Sequence, residues 1–117
     1  MTIEHVLAVI PVRDLPSAVL WYEQLFGRPP GNRPMDTLAE WQVTPTGWVK
    51  VTADPGRAGT ALLNLAVDDI SAHRQVLADR GLAVGPVETV NNGVQLAAVL
   101  DPDGNRLTLI GRFRTTY

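Results

Sequence analysis

Cysteine is absent from all 117 residues. The chain can therefore form no disulfide framework, no thiolate nucleophile and no cysteine-bound metal site. Lysine is nearly absent too: Lys50 is the single one among ten basic residues. Against twelve acidic residues the net charge is −2, which offers no basic face to a nucleic acid. No apolar run approaches the roughly 20 residues that span a bilayer. The opening Met1-Thr2-Ile3-Glu4-His5 lacks the charged-then-apolar layout of a secretory leader. What is present is a hydrophobic fraction of 45% with ten glycines and nine prolines as punctuation. That profile predicts one compact, cytoplasmic domain over 1–117 that binds neither nucleic acid nor membrane.

The chain reads as one pattern written twice. Val6 to Val12 is a short apolar, β-branched run that suits a strand. Asp14 follows as an N-cap, with Pro16 in the first helical turn, where a missing N–H does no harm. Leu15, Ala18, Val19, Tyr22, Leu25 and Phe26 then trace one helical stripe, and Gly27 with Pro29-Pro30 stops it. About 55 residues later Leu62 to Val67, Asp69 and the stripe Ile70, His73, Val76 and Leu77 repeat the events, ending at Gly81. Leu38–Val43 and Trp48–Thr52 in the first half, and Val94–Leu100 and Arg106–Ile110 in the second, read as hairpin strands. Stretches 31–36 and 84–90 add one strand to each half, and Asp54 to Gly59 links the halves. The expected fold is α+β. Two tandem βαβββ modules, about 3–53 and 60–112, form curved mixed sheets with a cavity and carry their helices, near 14–26 and 69–80, on the outer face.

Alternation then divides each strand between two faces. Val49, Val51, Leu63, Leu65, Val67, Leu107 and Leu109 are expected to pack under the helices. Trp48, Lys50, Asn64 and Thr108 then face the other way, with Trp41 a further candidate. A face that mixes tryptophan, lysine, asparagine and threonine suits a concave, partly dry cavity.

The Val-Arg-Asp-Leu junction at 12–15, the helix Trp-Tyr-Glu-Gln-Leu-Phe-Gly at 21–27 and the closing Asp-Pro-Asp-Gly-Asn-Arg-Leu-Thr-Leu-Ile at 101–110 carry a family likeness. Together they resemble the vicinal oxygen chelate superfamily of glyoxalases, bleomycin-resistance proteins and dioxygenases. The resemblance covers residues 3 to 112. It implies a homodimer and, in the enzymes, a divalent metal held by His, Gln or Glu on the first strand of each module and Glu on the last. Those positions fall here on Leu7, Lys50, Leu62 and Thr108, none of which is a strong ligand. The expectation is a protein with no metal and no cofactor.

No other catalytic constellation competes. Ser17 and Ser71, the two serines, sit at helix starts for structural reasons. His5 and His73 lie about 68 residues apart, on a strand and a helix, at no recognisable ligand spacing. The sequence therefore predicts a small-molecule-binding protein without a catalytic residue, its site formed by Trp48, Lys50, Asn64, Thr108 and Trp41. The ligand suited to those side chains is aromatic and neutral to anionic. The alternative is a metal-dependent lyase or dioxygenase of the same superfamily with displaced ligands, drawing on His5 and Glu40.

Overall fold

The computed structural model describes residues 1–116. Two four-stranded mixed sheets, neither closed, each carry one helix. The first half runs β1 (Val6–Val12), α1 (Leu15–Phe26), β2 (Asn32–Met35), β3 (Leu38–Gln42) and β4 (Gly47–Ala53), with sheet order β1-β4-β3-β2. The second runs β5 (Leu62–Val67), α2 (Ile70–Asp79), β6 (Glu88–Thr89), β7 (Gln95–Leu100) and β8 (Arg106–Gly111), with order β5-β8-β7-β6. In each half the first strand pairs in parallel with the last, and the remaining pairings are antiparallel. The tandem βαβββ organisation expected from the repeat is the observed one.

The helix boundaries follow from local chemistry. The Asp14 carboxylate accepts the Ser17 N–H at the start of α1, and Asp69 accepts that of Ala72 at the start of α2. Bonds from the Ser17 side chain and backbone hold the Asp14 carboxyl below its ordinary value. At the far end of α1, Gly27 adopts the left-handed conformation with φ 75° and donates its N–H to the Glu23 carbonyl. The Arg80 guanidinium, from the end of α2, donates to the carbonyls of Gln24 and Leu25, both at 3.3 Å. A cation on the carbonyl end of a helix is favourable for both partners.

Leu15, Ala18, Val19, Tyr22 and Leu25 of α1 pack on Ala39, Trp41, Val49 and Val51. Leu107 and Leu109 are buried beneath the second helix with Ala97 and Val99. Leu63, Leu65 and Val67 face the same way but are only half-buried, because β5 is an edge strand with one neighbour. All these residues belong to one hydrophobic cluster spanning both halves.

A polar clasp joins the halves at the Asp101–Asn105 turn. The Tyr22 hydroxyl donates to Asp101 Oδ2 at 2.7 Å, and Asn105 Nδ2 donates to the same oxygen and to the Pro11 carbonyl, each at 2.8 Å. Asn105 Oδ1 accepts the Ala61 N–H, while Asp101 Oδ1 accepts the N–H groups of Asp103 and Asn105. Asp101 and Asn105 are buried, and no buried side-chain polar atom among the described residues lacks a partner. The Asp-Pro-Asp-Gly-Asn motif is thus a tertiary joint as well as a hairpin turn.

Candidate functional site

The strand registers place the expected site residues in two groups. On the first sheet, Val9, Lys50, Glu40 and Asn32 form one row across all four strands, each paired to the next. The adjacent row is Leu7, Trp48 and Gln42. Both rows lie on the face turned away from α1, since Val49, Val51, Ala39 and Trp41 occupy the other. On the second sheet, Asn64 pairs with Thr108 and Thr108 with Ala98, next to the row Leu62, Arg106 and Leu100. Lys50 and Thr108 therefore hold equivalent places in their two sheets.

Asn64 and Thr108 line a hollow of about 440 Å³ with Glu88, Ala98, Arg106 and Ile110. Trp48 and Lys50 stay on the other sheet, so one chain does not bring all four residues into one enclosed pocket. Trp48 and Asn64 both border a larger open groove between the halves, about 950 Å³, whose walls include Phe26, Leu63, Leu65 and Val76. Its walls combine helix-facing side chains of the edge strands β1 and β5 with residues of the two helices.

Trp41 does not belong to the site. Its register partner is Val49, a helix-facing residue, so it points into the core and is fully buried. Its ring lies 5.6 Å from that of Phe26 and 6.1 Å from that of Tyr22, and its Nε1–H donates to the Arg28 carbonyl. The sequence leaves this register open because β3 carries apolar residues on both faces, with Leu38 and Ala39 both buried.

Trp48 is held differently. Its Nε1–H donates to His5 Nδ1 at 3.1 Å, with the rings 6.1 Å apart and edge-on. The imidazole fixes the indole, a role that sequence spacing does not suggest. Glu40 accepts a hydrogen bond from Asn32 on β2, the strand on its far side from Lys50. His5 and Glu40 are thus each engaged with a neighbouring side chain. His73 bonds to Asp68 at 3.1 Å on the border of the larger groove. There the Asp69 N–H, and then His73, hold the Asp68 carboxyl below its ordinary value.

The arrangement does not fit a divalent metal. Leu7 and Lys50 lie on β1 and β4, Leu62 and Thr108 on β5 and β8, all on the faces turned from the helices. Two aliphatic side chains, one cation and one neutral hydroxyl supply no anionic or imidazole donor. Among the described residues, no three His, Cys, Asp or Glu side chains come together as a metal site. What the faces offer instead is an aromatic plane, fixed charges and neutral hydrogen-bonding groups.

Comparison with known proteins agrees with the fold. Residues 2–109 match the model of the Glyoxalase/Bleomycin resistance protein/Dioxygenase superfamily, and the chain belongs to that family. A glyoxalase/bleomycin resistance protein from Catenulispora acidiphila is 32% identical, with a TM-score of 0.85 over 92% of this chain and 96% of that one. TnmS3, an antibiotic binding protein from a Streptomyces species, is 26% identical, with a TM-score of 0.77 over 95% and 98%. A bleomycin-binding protein solved with bleomycin is 24% identical, with a TM-score of 0.78 over 93% and 98%, and shares the fold. Among curated protein sequences no significant match is found.

Proposed function

We propose that this chain is a cytoplasmic, metal-free small-molecule-binding protein that acts as a homodimer. The concave face of the first sheet in one copy closes over that of the second sheet in the other. Trp48 and Lys50 then meet Asn64 and Thr108 across one cavity. The observation that carries the reading is the residue set Leu7, Lys50, Leu62 and Thr108, where the family's enzymes need metal ligands. A lysine ammonium there also opposes a divalent cation directly. Relatives described as binding an antibiotic, and bleomycin in one case, support a binding role over a catalytic one.

The dimer is supported by the apolar residues on the two open faces. Leu7 is 44% exposed, Val9 52%, Leu62 80% and Leu100 58%, and β1 and β5 each leave one edge unpaired. A second copy would cover both. The ligand that suits the cavity is planar or aromatic, stacking on Trp48 with polar groups directed by Asn64 and Thr108. The displaced-metal alternative loses ground because His5 and Glu40 already serve Trp48 and Asn32.

Two measurements on protein purified without chelator test the reading together. Elemental analysis is expected to find no stoichiometric zinc, nickel, iron or manganese. Titration of a panel of aromatic acids and cationic drugs is expected to change tryptophan fluorescence saturably for members of the panel. Near-stoichiometric metal, or binding that appears only when metal is added, would overturn it.

A further inference from the structure

The row Val9–Lys50–Glu40–Asn32 places two opposite charges side by side on the face assigned to the ligand. Lys50 and Glu40 are register partners on adjacent antiparallel strands, so their Cβ atoms stand about 5 Å apart. Both side chains are half-buried even in the single chain. Among the described residues, however, no ion pair joins them, and the hydrogen bond that Glu40 does make runs the other way, to Asn32 on β2. On the second sheet Arg106 and Glu88 line the same hollow as Asn64 and Thr108, but they are exposed and β7 lies between their strands, so no facing pair of charges forms there. The central row of the first sheet thus sets one cation beside one anion, and their charges balance.

That balance restricts what can bind. Covering a face removes water from both charges, and a buried charge without a partner is costly. A simple carboxylate would satisfy Lys50 and leave Glu40 beside a second anion. A simple amine would satisfy Glu40 and confront Lys50. A neutral ligand would engage neither charge and would leave the two to turn to each other across the strands. A compound bearing an ammonium and a carboxylate close together satisfies both, each through a charge-assisted hydrogen bond. Trp48 lies two residues from Lys50 on the same strand face, roughly 7 Å along β4, and His5 holds its indole in place. An aromatic group attached to such a zwitterion reaches that ring.

We propose that the ligand is an aromatic zwitterion, an amino-acid-like compound whose carboxylate is taken by Lys50, whose ammonium is taken by Glu40 and whose ring stacks on Trp48. This rests on the small-molecule-binding reading above and sharpens its charge requirement from neutral-to-anionic to dipolar.

Four probes with one common ring separate the possibilities: phenylalanine, 3-phenylpropionate, phenethylamine and 3-phenylpropionamide, each titrated by tryptophan fluorescence. Phenylalanine is expected to bind at least about tenfold more tightly than each of the other three. Lys50→Met is expected to abolish its advantage over the amine, and Glu40→Gln its advantage over the acid. Unfolding curves of both variants, matching the parent, show that the losses are local. Equal binding of the acid or the amide, or an unchanged preference in Glu40→Gln, would overturn the zwitterion proposal while leaving small-molecule binding intact. Binding of none of the four at millimolar concentration would overturn the proposal and count against the binding reading as well.

Discussion

The phenolic hydroxyl of Tyr22, on the helix of the first half, donates to the carboxylate of Asp101, on the closing hairpin of the second, at 2.7 Å across 79 residues. Asp101 also accepts Asn105 Nδ2 and two backbone N–H groups, so one buried carboxylate organises the hairpin and ties it to α1. Tyr22→Phe removes one donor and leaves the others, with an expected cost of about 1–2 kcal/mol. Asp101→Ala strands all of them and is expected to cost about 3–5 kcal/mol. Urea unfolding of the two variants checks the order.

The same bond sets an alkaline limit. Burial first, and then the Asp101 charge, push the Tyr22 hydroxyl well above its ordinary 10.0. Near and above that pH the unfolded chain releases the proton while the folded chain keeps it. The stability contribution is therefore complete below pH 10 and falls as pH rises further, by about 1.4 kcal/mol per unit for one group. Stability measured against pH is expected to decline over that range, and Tyr22→Phe is expected to flatten the decline.

Two glycines are fixed by close approach. A Cβ at Gly59, where φ is +87°, would strike the Asp103 backbone carbonyl. At Gly27, φ +75°, it would come within 2.6–2.8 Å of the Arg80 guanidinium. The left-handed conformation alone costs a non-glycine residue about 1–2 kcal/mol. Gly59→Ala is expected to exceed that because backbone cannot swing aside, whereas Gly27→Ala can displace a flexible side chain. Removing the obstacle in a Gly27→Ala, Arg80→Ala double variant therefore adds less than the sum of the two single changes, which a double-mutant cycle reads directly.

The assembly is testable through Leu62, 80% exposed on the open face of β5. Light scattering at micromolar concentration is expected to give twice the 12.7 kDa of one chain. Leu62→Asp is expected to shift the protein to monomer and leave its circular dichroism unchanged. A parent protein that runs as a monomer would show that the exposed apolar faces are tolerated in water.

Much of this is legible in the sequence because its strands alternate cleanly. Val49 and Val51 under the helix are enough to turn Trp48 and Lys50 to the opposite face, and Leu107 and Leu109 do the same for Thr108. Where alternation fails, so does the reading. Leu38 and Ala39 are both buried, and nothing local puts Trp41 into the core. The stretch 84–90 shortens to the two residues Glu88–Thr89, since Pro86 has no N–H to give a ladder. The partners of Tyr22, His5 and Asn105 lie 79, 43 and 94 residues away. The first and last depend on how the halves dock and the second on the β1–β4 pairing, which no local pattern encodes. The row joining Lys50 to Glu40 follows from the Gln42–Trp48 hairpin register, and a count across the Thr44–Gly47 turn would have found it.

Binding of a small aromatic ligand to the Trp48–Lys50 face is proposed to need no metal. The most direct test is a tryptophan-fluorescence titration of chelator-treated protein with phenylalanine, run beside Lys50→Met. The expected result is the same saturable binding before and after chelation and a loss of about tenfold or more in the variant. Binding that returns only when a divalent cation is added, or that Lys50→Met leaves untouched, would contradict it.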